Sequence, residues 1–185
     1  MFEPCYIGGW SACEHWDLTE QIFRDVVVVT GTPIRSTRAS IQGTPFRLKF
    51  LARGKHFGTR TVWRGQGKVL VSDPSRTVVD ILDDPSLGGG IRHVAQILRA
   101  YFQSAARDES LLVQYAVRLG NRSVLKRLGY LLEKEGIEAA ELIERCHALR
   151  SSGLTALDPT SKTKGRILRR WNLRVNVAIQ SAELG

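Results

Sequence analysis

The chain has 185 residues, 43% hydrophobic and 24% charged, which is enough for one sizeable core and excludes a disordered or fibrous chain. It contains no run of eighteen apolar residues, so no helix is expected to span a membrane, and MFEPCYIGGW lacks the basic start of a secretory signal. The net charge of +9 is unevenly spread: between Val26 and Ser72 there are nine bases and no acid.

In chain order, Gly8 and Gly9 break the chain, and Ser11 with Glu14 has capping-box spacing for a short helix bearing Trp10, Cys13 and Trp16. DVVVVTG then reads as a buried strand. RASIQ and PFRLKFLA flank GT, and TRTVWRG and KVLVSD flank QG, two hairpin signals. In PFRLKFLA the alternation puts Phe46, Leu48 and Phe50 toward a core and Arg47 and Lys49 toward solvent. After Asp73 the apolar period lengthens to that of helices, expected at 74–83, 91–105, 109–118, 122–135 and 138–150. Ile91, Val94, Ala95, Leu98 and Phe102 form one apolar stripe, and Val124, Leu125, Leu128, Leu131 and Leu132 another. Gly88–Gly90 lacks the lysine and spacing of a phosphate loop and reads as a hinge. In the tail, a basic loop precedes Trp171, Leu173, Val175 and Val177, whose alternation predicts a last strand.

The expected fold class is α+β. A mixed or antiparallel β-rich half with hairpins, about residues 1–73, packs on a helical half, about 74–156. A basic loop and late β-strand, about 157–180, complete one unit spanning 1–185, with a weak boundary near 84–90. Cys5, Cys13 and Cys146 have no metal spacing and read as reduced thiols, mostly buried, in a cytoplasmic chain.

VSDPSRTVVDIL, residues 71–82, fits a strand-to-helix junction. Asp73 suits the N-cap, Pro74 the first helical position, and Arg76 and Asp80 can pair on one face. Val78, Val79 and Leu82 point to the core. No histidine, cysteine or further acid within the motif supplies a catalytic or metal partner. The histidines His15, His56, His93 and His147 are dispersed, no GxSxG occurs, and the glutamates between Glu133 and Glu144 have the spacing of a solvated helix face. No catalytic residue, metal or cofactor is expected.

YIGGWSACEHWDLTEQ, DVVVVT, VSDPSRTVVDIL and LDPTSKTKGRILRRWNLRVNV resemble, in this order, the C-terminal domain of the AbiEi antitoxin family. The most specific piece is SDPSRTVVD, which matches that family's recurring sDpeRTllD at Ser72, Asp73, Pro74, Arg76, Thr77 and Asp80. The resemblance implies a non-enzymatic antitoxin and transcriptional regulator of an abortive-infection pair whose toxin is a nucleotidyltransferase. It also implies a scaffold role for the motif. Family members usually carry an N-terminal winged helix before YIGGWSA, whereas this sequence starts almost at that segment, so operator reading by a winged helix is not expected of it.

The resemblance and the charge pattern together make DNA and, functionally, the cognate toxin the expected partners, without a stable toxin complex and without a membrane. Arg47, Lys49, Arg60 and Arg64 on the sheet, with Lys162, Lys164, Arg166, Arg169 and Arg170 in the tail, are the expected phosphate contacts. One alternative is a protein-interaction module binding an acidic partner or a second copy, with Trp63 and Trp171 as anchors. A nuclease reading would need Asp73, Asp80, Asp83 and Asp84 to gather around a metal.

Overall fold

The computed structural model describes residues 3–180; residues 1–2 and 181–185, the ends of the expected 1–185 unit, lie outside the described residues. The runs rich in β-branched residues form β1 (Cys5–Ile7), β2 (Val26–Thr30), β3 (Arg38–Ile41), β4 (Thr44–Phe50), β5 (Thr59–Arg64) and β6 (Gly67–Ser72). They join in one sheet of order β3-β4-β2-β1-β6-β5. The sheet is mixed: β1 runs antiparallel to β2 and parallel to β6, and β2 runs parallel to β4. Both expected hairpins form, as β3–β4 and β5–β6. The first turns on Gln42 and Gly43 rather than Gly43 and Thr44. Both central residues take positive φ, 51° and 80°, as a tight hairpin matched to strand twist requires.

The helices are α1 (Gly9–His15), α2 (Pro74–Asp83), α3 (Ile91–Gln103), α4 (Glu109–Leu119), α5 (Ser123–Lys134) and α6 (Ala140–Leu149), with a 3-10 turn at Pro85–Gly88 between α2 and α3. The last five match the expected helices. Only α1 departs from its reading: its N-cap is Gly8, with no side-chain cap. Ser11 Oγ instead accepts a hydrogen bond from Val27 N at 3.0 Å, tying the helix to β2.

A second sheet of order β7-β9-β8 is made by β7 (Thr155–Ala156), β8 (Arg166–Leu168) and β9 (Leu173–Val175). The expected last strand is thus shorter than the alternation suggested. Trp171 leaves the strand pattern and is fully buried against α5, where a Cβ on Gly129 would fall 2.0 Å from its ring. Only glycine at position 129 admits that indole.

α2 lies at the centre of the molecule, packed by α1, α3, α4, α5 and β6, and every residue from Pro74 to Leu82 is buried. The two expected apolar stripes on α3 and α5 are buried around it. Each fully buried Leu, Ile or Val there contributes roughly 1.5–3 kcal/mol. The result is an α+β architecture, with strands mostly N-terminal and helices C-terminal. No helix among the described residues is long and apolar enough to cross a membrane.

Candidate functional site

Because α2 is central, the polar residues of SDPSRTVVD are buried and must find partners inside the protein. Asp73 caps the helix: Oδ1 accepts from Arg76 N and Oδ2 from the Tyr115 hydroxyl, each at 2.8 Å. Arg76 Nε donates to Asp80 Oδ1 at 2.8 Å, one turn along the helix. Its Nη2 donates to the Tyr6 hydroxyl at 3.0 Å, and Tyr6 in turn donates to Asp80 Oδ2 at 2.9 Å. Arg76 Nη1 reaches Phe57 O, and the guanidinium lies 4.1 Å from the Phe57 ring centroid. Thr77 Oγ1 donates back to Asp73 O and pairs with Ser72 Oγ at 2.7 Å. The motif therefore links β1, β6, α2 and α4 through one buried network.

This network does not have the electrostatics of an open carboxylate site. Burial pushes the Asp80 carboxyl up, while Arg76 and Tyr6 pull it back, leaving it at about 6 and ionised at neutral pH. Burial and the neighbouring Asp80 push the Tyr6 phenol far above its ordinary range, so it stays a donor. Both Asp80 oxygens are occupied by donors. Among the described residues, no three His, Cys, Asp or Glu side chains are grouped so as to hold a metal ion. Asp83 and Asp84 instead end α2: Asp83 accepts from Asn121, while Asp84 is its C-cap and accepts from Ser86. Gly89 and Gly90 precede α3, and Asp158 Oδ2 takes Ile91 N at 3.0 Å, the place an anion would otherwise occupy.

The sequence reading missed two buried bases. Arg127 donates to Leu82 O, Ala156 O and Leu157 O, so it closes the C-terminal end of α2 and holds the tail sheet to it. Lys126 bonds Gly153 O and Thr155 Oγ1. Their signal was a Lys-Arg pair inside the apolar stretch VLKRLGYLL, where a solvated pair is the ordinary reading.

The nine expected phosphate contacts do not share one surface. Arg47 and Lys49 face the helices: Arg47 bonds Ser86 Oγ at 3.1 Å, and Lys49 pairs with Asp84 at 2.9 Å. The expected facing of PFRLKFLA is met only in part: Leu48 is buried and Phe46 half-buried, as expected, whereas Phe50 on the same side is 44% exposed, and Arg47 and Lys49 are half-buried rather than free in solvent. The reason is local. The polar Asp84–Ser86 turn lies over this side of β4, so Arg47 and Lys49 find a hydroxyl and a carboxylate there, with the Trp10 ring centroid 5.9 Å from the Arg47 guanidinium. Burial pushes Asp84 up, but bonds from Ser86 and Lys49 outweigh it and hold the carboxyl below its ordinary range.

Arg60 and Arg64 lie on the other face. Register links Arg60 to Val71, Val71 to Ile7, Ile7 to Val28 and Val28 to Leu48, the side opposite Arg47. Both are exposed; Arg60 sits over the Trp16 ring, and Arg64 lies 3.1 Å from His15 Nδ1. Burial and the Arg64 charge lower the His15 pKa, leaving a neutral acceptor for that guanidinium. In the tail, Lys162, Lys164, Arg166 and Arg169 are exposed. Arg170 is tied to Glu133 at 2.7 Å and Glu144 at 3.4 Å.

No protein-family model and no curated protein matches this chain. Its fold is similar to a crystal structure of the RV2827C protein from Mycobacterium tuberculosis, with a TM-score of 0.62 at 12% identity. The match covers 91% of this chain and 61% of the other, so the chain spans less than two thirds of that structure. At this identity the likeness is one of fold alone.

Proposed function

We propose that this chain is a non-catalytic antitoxin and transcriptional regulator of the AbiEi kind, acting in the cytoplasm against a nucleotidyltransferase toxin and contributing a basic surface for DNA. The observation that carries the reading is the complete engagement of SDPSRTVVD. Asp73, Arg76, Thr77 and Asp80 are all bonded within the fold, as suits a motif whose role in non-enzymatic proteins is to hold a scaffold. Further support comes from exposed bases that no carboxylate pairs with among the described residues: Arg60, Arg64, Lys162, Lys164, Arg166 and Arg169. Arg47 and Lys49 leave the phosphate-binding set, and Arg170 is already paired. The β5–β6 ribbon, with Trp63 63% exposed beside Lys68, has a form that a major groove admits.

Co-expression with a nucleotidyltransferase toxin of the AbiE kind tests the antitoxin reading: growth arrest should lift, and arrest that persists at matched expression ends that reading. A mobility-shift titration tests the DNA reading separately. Affinity should fall steeply with salt, and Arg60→Gln with Arg64→Gln should flatten the log–log slope by about 2. Binding indifferent to salt, or absent at low salt, ends the DNA reading.

A further inference from the structure

The β5–β6 ribbon has two faces that the rest of the chain treats differently. β5 is the edge of the six-stranded sheet, and β6 meets β1 only at the Ile7–Val71 bridge. The outer part of the ribbon, Thr61–Arg64 paired with Gly67–Leu70, runs on beyond that bridge. Arg60, Val62 and Arg64 point to one side, where Arg60 lies over the Trp16 ring and Arg64 meets His15 at the end of α1. On the other side, register puts Trp63 opposite Lys68 and Thr61 opposite Leu70, and all four are exposed. Trp63 is 63% exposed and Leu70 43%, so nothing in the fold covers this face.

Trp63 also differs from the other three tryptophans. The indole N–H of Trp10 donates to Asp25 O at 2.6 Å, that of Trp16 to Ser72 O at 2.7 Å and that of Trp171 to Glu133 Oε2 at 2.7 Å. The indole N–H of Trp63 has no acceptor among the described residues. Lys68 Nζ lies 4.7 Å from the Trp63 ring centroid, a cation held beside an open ring. No acid occurs between Val26 and Ser72, and Glu3, which lines the same groove as Lys68, does not pair with it. We propose that Trp63 is a stacking platform for an unpaired nucleobase, with Lys68 on the adjoining phosphate, so that this face of the ribbon binds single-stranded nucleic acid. A duplex groove admits the ribbon but offers an indole only base edges, whereas an unpaired base offers its whole face. An acidic peptide would use Lys68 and leave the ring without a planar partner. The proposal deepens the nucleic-acid reading of the basic surface, on which it rests, and is independent of the antitoxin reading.

Anisotropy titrations of the full chain with labelled oligo(dT), oligo(U) and a DNA duplex of equal charge test it. The tighter of the two single strands names the source, DNA or RNA. Trp63→Ala should weaken that strand about tenfold and the duplex less than about twofold. Trp63→Phe should keep most of the affinity, because a second ring stacks in place of the first. Lys68→Gln should lower the single-strand salt slope by about 0.7. Both positions are exposed, so unfolding midpoints should stay at the wild-type value. Single-strand affinity unchanged in Trp63→Ala, or single strand and duplex weakened alike, overturns the proposal and leaves the DNA reading standing. No binding of any of the three at low salt overturns both. Poly-glutamate that competes with the oligonucleotide equally, charge for charge, would also overturn the proposal, by giving this face to an acidic protein.

Discussion

The two faces of the large sheet each mix polar and apolar side chains, but in different ways. The helix-covered face, which should be dry and apolar, holds Tyr6 bonded to Arg76 and Asp80, together with Arg47 and Lys49. The other face carries Ile7, Val26 and Phe46, half-buried, with Val28 and Leu48, buried, and ends at the exposed Phe50. Polar groups under the helices are tolerated because each finds a partner at hydrogen-bond distance, which a buried group requires and a surface group does not. Apolar groups need no such partner, whether buried like Val28 and Leu48 or exposed like Phe50. The contrast separates buried polar side chains, which need partners to hold the structure, from apolar ones, which need only contact.

The strongest challenge to this contrast lies under the helices. Arg76→Met leaves Asp80 a buried carboxylate without its cation, and should cost about 3–5 kcal/mol in urea unfolding. Adding Asp80→Leu should recover much of that loss, since no charge is then left unpaired. A loss below about 1 kcal/mol for the single variant would mean that the network does not hold the fold.

The acid limb of stability sharpens the same point. Asp80 sits at about 6 in the folded chain against an ordinary 3.8, so the folded chain holds this proton more tightly than the unfolded one. The contribution is fully present below the ordinary value and is lost as pH rises through about 6. Asp84 and Asp158, held below their ordinary range, work in the opposite sense and fade in acid. Compared with Asp80→Asn, the wild type should therefore gain, by about 1–3 kcal/mol, as pH falls from about 7 to about 4. Unfolding midpoints for both proteins across that window check the sign. A constant difference would place the titration elsewhere.

The smallest effect belongs to the exposed end of β4. Phe50→Ser, at a position 44% exposed, should move stability by no more than about 0.5 kcal/mol. A thermal melt showing a loss of several degrees would mean that this face is packed after all.

Much of this fold was legible in the residues. The helices after Asp73 followed from their 3.6-residue period, and the capped start of α2 from the order Asp-Pro followed by Arg76 and Asp80 one turn apart. The tail strand was legible only in part, because its alternation also fits a tryptophan leaving the strand, and only the space above Gly129 decides between them. β1, three residues long, carried no readable pattern, yet it lies in the middle of the sheet, where pairing on both sides supplies what local propensity lacks. For the candidate site, the exposure of Arg60, Arg64 and the tail lysines could be read from composition. The facing of Arg47 and Lys49 could not, because alternation gives two faces without saying which one the helices will cover.

By itself, the sequence determined the local features: which segments after Asp73 are helices, where α2 begins, which strands form hairpins and how the charge is divided along the chain. These depend on side chains close in sequence, whose spacing is already set by backbone geometry. Only the tertiary structure decided that α2 is enclosed on all sides, that Arg127 ties it to the tail, and that Arg47 and Lys49 are held against the Asp84–Ser86 turn. Those outcomes depend on partners many residues apart, whose contacts exist only once the layers have packed.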